Sequence, residues 1–366
     1  MSHTFDDRVV VPGLGKQIAL DMGCLPVEDE MGTYFDAPEI DIDAYDRIVI
    51  GMSGGKDSLA SLLRLVDMGV DLSKVELWHH DVDGREGSSL MDWKFMADYN
   101  RQIAEAFVVP IYFSWLEGGF EGEMLKENAY SKPHKFEGPE GLVTLERDTT
   151  RSAPNTRLKF PQVSASLQTR WCSSALKIDV ARRQLNNQAR FNGKKCLFIT
   201  GERRQESSNR AKYNQFEPHS CDRRAGRLAR HVDAWRPVLH WDEEQVWDAL
   251  KRHGIIAPVP YRLGWGRSSC MTCIYNSPRI WATISHYFPE RARIIAGYED
   301  QFGVTISRDR INVLDVSRHV EPFEIDDLEA LEQALKSEYT LPVVQSPRQP
   351  WQLPAGAFGN EGCGSD

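Results

Sequence analysis

Arg47-Ile48-Val49-Ile50-Gly51-Met52-Ser53-Gly54-Gly55-Lys56-Asp57-Ser58 decides the fold of this 366-residue chain. After Arg47, Ile48 to Met52 are an uninterrupted apolar run of strand length, the pattern of a strand buried on both faces of a parallel sheet. Ser53 to Ser58 then pack two glycines, a lysine, an aspartate and two hydroxyls into one short turn. Leu59, Leu62, Leu63 and Val66 follow at helical spacing up to Gly69, so the stretch reads strand, glycine loop, helix. In such a turn the glycines let backbone N–H groups approach a phosphate closely, and the helix N-terminus adds partial positive charge. The loop lacks the glycine four residues ahead of a Gly-Lys-Ser/Thr triplet that marks a Walker loop.

Outward from this loop, Val75 to His79 reads as a second strand, Met91 to Phe107 as a helix, and Val108 to Trp115 as a third strand. This alternation predicts an α/β fold, a doubly wound parallel sheet with ligands at the carboxyl ends of its strands. Residues 116–165, rich in Gly, Pro, Glu and Lys, read as an irregular insertion that covers the site. A helix over about Ser173 to Leu185 and a strand over Lys195 to Thr200 resume the pattern. Asp242 caps a further helix, with Gln245 completing a capping box, up to Gly254. The expected organisation is an acidic lead-in (1–46), a nucleotide-binding domain (47–235), a smaller C-terminal helical region with a Cys-x-x-Cys pair (236–340) and a mobile tail (341–366).

Composition bounds the function. Hydrophobic residues make up 41% and charged residues 27%, as in folded proteins, and no apolar run has the length of a membrane span. The start of the chain lacks the basic and apolar parts of a secretory signal, so the expectation is a cytoplasmic protein with no membrane partner. Seven cysteines in a reducing compartment raise metal ligation or catalysis before disulfides. The net charge of −9 excludes indiscriminate coating of nucleic acid, yet residues 201–236 hold nine Lys/Arg against five Asp/Glu.

With Ser53-Gly54-Gly55-Lys56-Asp57-Ser58 in place, the chain resembles the ATP pyrophosphatases of the PP-loop type, whose fold is adenine nucleotide alpha hydrolase-like. Four ordered stretches narrow the resemblance to the phosphoadenosine-phosphosulfate reductase family. They are Arg170-Trp171-Cys172-Ser173-Ser174-Ala175-Leu176-Lys177; Gly201-Glu202-Arg203-Arg204-Gln205-Glu206-Ser207-Ser208-Asn209-Arg210; Trp235 to Trp241; and Tyr261 to Gly264 followed by Arg267-Ser268-Ser269-Cys270-Met271-Thr272-Cys273. The intact phosphate loop is closer to the DndC-like branch, which helps place sulfur in the DNA backbone, than to the reductases, whose loop is degenerate. A reductase would also use a C-terminal Glu-Cys-Gly; here the tail reads Glu361-Gly362-Cys363-Gly364, which makes Cys363 the alternative nucleophile.

What the resemblance implies is an ATP pyrophosphatase that activates a substrate by adenylation for sulfur transfer, with ATP and Mg²⁺ as cofactors. The alternatives are a sulfonucleotide reductase and a non-catalytic nucleotide-binding subunit. Ser53, Gly54, Gly55, Lys56, Asp57, Ser58, Asp81, Lys177, Arg203 and Arg204 are the expected nucleotide contacts. Lys56, Asp57, Arg203 and Arg210 carry the catalytic expectation, the arginines as a bidentate clamp. Cys270 and Cys273 have the gap that lets two thiolates meet one metal, with Cys172 as third ligand and Cys221 as fourth, although His219 or an open position would also serve. The family precedent is a 4Fe-4S cluster; zinc or no metal are the alternatives. The implied partners are a DNA or tRNA acceptor and a sulfur-donor protein such as a cysteine desulfurase. The tryptophans at 235, 241, 247, 265 and 281 and Cys196 read as core.

Overall fold

The computed structural model describes residues 32–268, 270–307, 309–346 and 348–359. Cys24 and Cys363, and most of the acidic lead-in, lie outside them. From Thr33 onward the described residues form one compact unit.

Ile48, Val49 and Ile50 are fully buried, which is why β1 (Arg47–Gly51) sits at the centre of the sheet. It leads through the glycine turn into α1 (Lys56–Asp67), whose Leu59, Leu62, Leu63 and Leu65 are buried; each contributes roughly 1.5–3 kcal/mol. There follow β2 (Val75–His80), α2 (Met96–Ala106), β3 (Ile111–Leu116), α3 (Gly119–Met124), β4 (His134–Gly138) and β5 (Gly141–Leu145). Next come α4 (Trp171–Ser173), a π turn over Ser174–Ile178, α5 (Asp179–Asn186), β6 (Lys195–Ile199), β7 (Phe216–Pro218), β8 (His231–Trp235) and α6 (Glu243–Arg252). Four helices close the chain: α7 (Pro278–Tyr287), α8 (Pro289–Phe302), α9 (Val313–Ser317) and α10 (Leu328–Leu335).

The strands lie in the order β5-β4-β3-β2-β1-β6-β8-β7. The five from β3 to β8 are parallel, with Ile50 beside Leu77 on one side and Ile199 on the other. The fold is α/β, as expected, but the sheet is mixed because β4 and β7 run antiparallel to the central strands and β5 pairs antiparallel with β4. The chain leaves β1 toward β2 and returns to β1's other side as β6, so the crevice above β1 and β6 is the switch point at which such folds bind ligands. Strand alternation divides the core: Ile48 and Ile50 pack with α1 and α2, while Val49, Trp78 and Phe198 pack with Leu185 and Phe191.

Three expectations change. The insertion is not irregular: residues 116–165 hold α3 and the β4–β5 hairpin, which extends the sheet. The buried Glu123 anchors it, accepting from Lys126 Nζ and Arg157 Nη2, both at 2.7 Å. The helix expected from Met91 starts only at Met96, because the Asp83 carboxylate accepts the N–H groups of Met91 and Asp92 and holds them in a turn. The tail is docked through residue 359: Gln345 N bonds Gly254 O, Trp351 Nε1 bonds Ile255 O, and Gly356 N bonds Tyr261 O. The Asp242–Gln245 capping box is present, with both reciprocal bonds. Among the described residues no helix is long and apolar enough to cross a membrane.

Candidate active site

Two glycines set the geometry at the switch point. Gly54 has φ +81°, and a Cβ there would lie 2.4 Å from Met96 Sδ and 2.9 Å from Asn100 Oδ1. Gly201, just beyond β6, lets that strand end meet the first turn of α1: a Cβ would fall 2.6 Å from Asp57 O. Gly55 caps α1, Ser58 Oγ donates to Gly55 O at 2.8 Å, and the Ser53 and Ser58 hydroxyls lie 3.2 Å apart. The turn thus brings two hydroxyls to the positive end of a 12-residue helix.

Lys56, expected at the nucleotide, is engaged within the protein. Its ammonium is enclosed, 3.2 Å from Glu243 Oε1 and 3.2 Å from Gly266 O, above the rings of Trp247 and Tyr261. Burial opposes its charge, but Tyr261, Asp57 and Glu243 outweigh burial and hold its pKa above the usual lysine range. Its backbone N–H donates to Tyr261 Oη at 3.0 Å. Lys56 therefore ties the phosphate loop to α6 and to the Tyr261–Gly266 turn.

The arginine clamp also takes a different form. Arg203, 4% exposed, donates from Nε to Asp57 Oδ1 at 2.5 Å and from Nη1 to Gln205 Oε1 at 2.8 Å. Burial opposes ionisation of Asp57, yet Lys56 and Arg203 hold its carboxyl below the usual range. Arg204 is spent on backbone: Ala211 O and Tyr213 O each at 2.8 Å and Phe35 O at 2.6 Å, with its guanidinium stacked on the Phe35 ring. Arg210 is paired with Glu206, which also accepts the Arg203 N–H. The three guanidinium groups do not converge as one free fork, because carboxylates and carbonyls already occupy Arg203 and Arg204. Arg210, about one third exposed, is the one of the three still partly open.

The second edge of the site follows β2. Asp81 pairs with Arg85 at 2.9 Å and lines, with Asp83, Ser88, Ser89, Asp92 and Lys94, a cavity of about 300 Å³. Asp92, hidden in the sequence within a stretch that reads as helix, is pushed up to about 7 by burial and then by Asp83. Lys177, from the π turn, is crowded by protein yet still reached by water. Burial opposes its charge, and Cys270, Cys172, Cys273 and Asp92 act in turn to retain it. Burial raises the Cys172 and Cys270 thiols, Cys273 and Asp92 adding to it respectively.

The four-cysteine set does not form. Cys172, Cys270 and Cys273 gather around Lys177, whereas Cys221 is buried with Cys196, Phe198 and Val232 on the opposite face of the sheet. No group of three or more His, Cys, Asp or Glu among the described residues is arranged to hold a metal ion. His219, the other candidate ligand, packs its ring against Phe198 on that same far face. Trp235, Trp247, Trp265 and Trp281 are core, as expected, and Cys196 is fully buried.

The protonation of Asp92 gives a pH signature. A carboxyl whose folded pKa is raised stabilises the fold fully below its unfolded value near 4, and that contribution is lost as pH rises to about 7. Asp92→Asn should therefore flatten the fall in stability between these limits, by up to roughly 3 kcal/mol at neutral pH. Urea unfolding of both proteins at several pH values checks this; parallel curves would contradict it.

Residues 147–276 match the phosphoadenosine phosphosulfate reductase domain family, a span that includes Cys172, Lys177, the Arg203–Arg210 segment and Cys270/Cys273. An uncharacterized 37.8 kDa protein of Escherichia phage 186 is 28% identical over 270 residues, covering 69% of this chain and 74% of its own. The crystal structure of phosphoadenylyl-sulfate reductase from Candida auris, in its phosphate complex, aligns at 15% identity with a TM-score of 0.31, over 62% of this chain and 81% of that one. Over residues 147–276 the chain is thus similar to the phosphoadenosine phosphosulfate reductase domain family.

Proposed function

We propose that the chain is a nucleotide-splitting enzyme that converts MgATP to AMP and pyrophosphate while adenylating an acceptor for sulfur transfer. Its support is the placement of a glycine loop and helix N-terminus at the switch point, with a thiol and lysine edge on the same carboxyl side of the sheet. The Ser53–Ser58 turn would hold the departing β- and γ-phosphates. An acceptor oxygen attacks the α-phosphorus, the bond to the bridging oxygen breaks, and pyrophosphate leaves with that electron pair. A sulfur nucleophile then displaces AMP. Mg²⁺ enters as part of the substrate: Asp81 is engaged by Arg85 and Asp83 by backbone N–H groups, so neither is a free ligand. Lys177 would balance anionic charge beside the thiols.

The acceptor on this reading is DNA or tRNA, and sulfur comes from a donor protein such as a cysteine desulfurase. Competition for the site distinguishes it from reduction of a sulfated nucleotide. MgATP should bind, and phosphoadenosine phosphosulfate with a dithiol should yield no sulfite. Sulfite release with no binding of ATP would overturn the proposal.

A further inference from the structure

At Glu206 two distant segments of the chain meet. Its Oε2 accepts the Arg203 N–H at 2.7 Å, which fixes the carboxylate in the turn that follows β6. Its Oε1 faces two guanidinium groups: Arg210, paired with it through Nη1, and Arg267, whose Nη2 lies 3.8 Å away. The Glu206 side chain is 13% exposed, whereas those of Arg210 and Arg267 stay 31% and 29% exposed and so remain open to a ligand. Among the described residues no other carboxylate lies within ion-pair distance of either arginine; Glu202, on the same turn, goes to Arg236 at 3.5 Å. A single carboxylate thus faces two cations, and the Arg267 guanidinium, with its five N–H donors, makes no hydrogen bond to any described residue.

Short contacts tie both arginines to the phosphate loop. Gly266 O accepts from Lys56 Nζ at 3.2 Å, and Ser268 O lies 3.8 Å from where a Cβ on Gly55 would be. Arg267 therefore stands between two residues that touch the start of α1. From the other direction, Arg203 bonds Asp57 in the first turn of α1 at 2.5 Å, while its N–H holds Glu206 and, through it, Arg210. Two chain segments thus deliver the pair to one helix N-terminus, where an anion is favoured. Because both guanidinium groups reach the same oxygen atom of Glu206, their spacing suits the oxygens of one tetrahedral anion, which planar forks of donors match closely.

We propose that Arg267 and Arg210, held together by Glu206, form a clamp on the β- and γ-phosphates of the nucleotide and not on its α-phosphate. That these phosphates leave as pyrophosphate rests on the reaction proposed above; the clamp itself stands on the Glu206 contacts and on the position of Arg267 beside Gly55 and Lys56. Arg267 takes the place in the anion site that Arg203 and Arg204, engaged by Asp57 and by backbone carbonyls, do not fill.

The test uses the full chain and titration calorimetry with inorganic pyrophosphate, ATP and AMP, each with Mg²⁺. Arg267→Ala should bind pyrophosphate and ATP roughly 10- to 100-fold more weakly than the parent, and AMP as the parent does. Arg267→Lys, which keeps the charge but not the fork, should recover only part of that loss. Arg210→Ala should lose a similar factor, and the double variant should lose less than the product of the two, because the pair shares one anion. Arg293→Ala makes the same change of formal charge on an exposed side chain of α8 and should leave all three affinities unchanged. In the parent, pyrophosphate should shield Arg267 and Arg210 from phenylglyoxal, read by peptide mass spectrometry, an observation that needs no variant to fold. Parent-like pyrophosphate affinity in Arg267→Ala would overturn the clamp, as would modification of Arg267 that pyrophosphate does not slow. So would an equal loss of AMP binding, which would place the pair at the α-phosphate. Pyrophosphate binding that meets these expectations in a protein that does not split ATP would refute the proposed reaction and leave the clamp standing.

Discussion

Gly54→Ala is expected to abolish nucleotide binding, by a factor of 100 or more, while α1 and the sheet stay folded. A methyl group there would have to displace Met96 Sδ, 2.4 Å away, and Asn100 Oδ1, 2.9 Å away, from a backbone already at φ +81°. The strain, roughly 1–3 kcal/mol, is concentrated in the turn that must present its N–H groups to phosphate. Met96 starts α2 and its long thioether can yield, so the cost falls on loop geometry more than on the core. Titration calorimetry with MgATP, beside a thermal unfolding curve, checks this. Undiminished affinity would mean that phosphate is not held at this turn.

Lys56→Met should destabilise the fold by roughly 3 kcal/mol, because it removes the cation between Asp57 and Glu243 and leaves both carboxylates with less compensation. Methionine keeps most of the volume over Trp247 and Tyr261, so the loss reports charge and hydrogen bonding rather than a cavity. Adding Glu243→Gln should restore part of the stability, since the second change removes an uncompensated charge. Urea unfolding of the parent, the two single variants and the double variant gives the coupling. A Lys56→Met protein as stable as the parent but unable to bind nucleotide would show that the ammonium is a phosphate ligand rather than the tie between the loop and α6.

The strand, glycine turn and helix around Ser53 to Ser58 were legible in the sequence because each signal there is local: a fully apolar strand, two glycines, then leucines at helical spacing. The Asp242–Gln245 capping box is local in the same way. The β4–β5 hairpin was not legible, since β5 is exposed along nearly its whole length and offers no alternation of apolar and polar residues. Arg203 shows a different limit. A run of arginines after a strand reads as an anion site, but the sequence does not reveal that Arg203 bonds Asp57, 146 residues away in the chain. Cys221 shows a third: spacing tells which thiols are near in sequence, whereas the face on which a strand end delivers them depends on sheet register. Asp92 was hidden for the opposite reason, because Phe95, Tyr99, Ile103 and Phe107 gave so strong a helical pattern that the preceding turn was absorbed into it.

Cleavage at the α-phosphorus is the central claim, and the products of ATP turnover test it most directly. The full chain would be incubated with MgATP and an oligonucleotide acceptor, and the phosphorus species followed by ³¹P NMR. The account predicts that AMP and pyrophosphate accumulate together, that no ADP forms, and that both products vanish in Gly54→Ala. Accumulation of ADP and inorganic phosphate would place the cut at the γ-phosphate and contradict it.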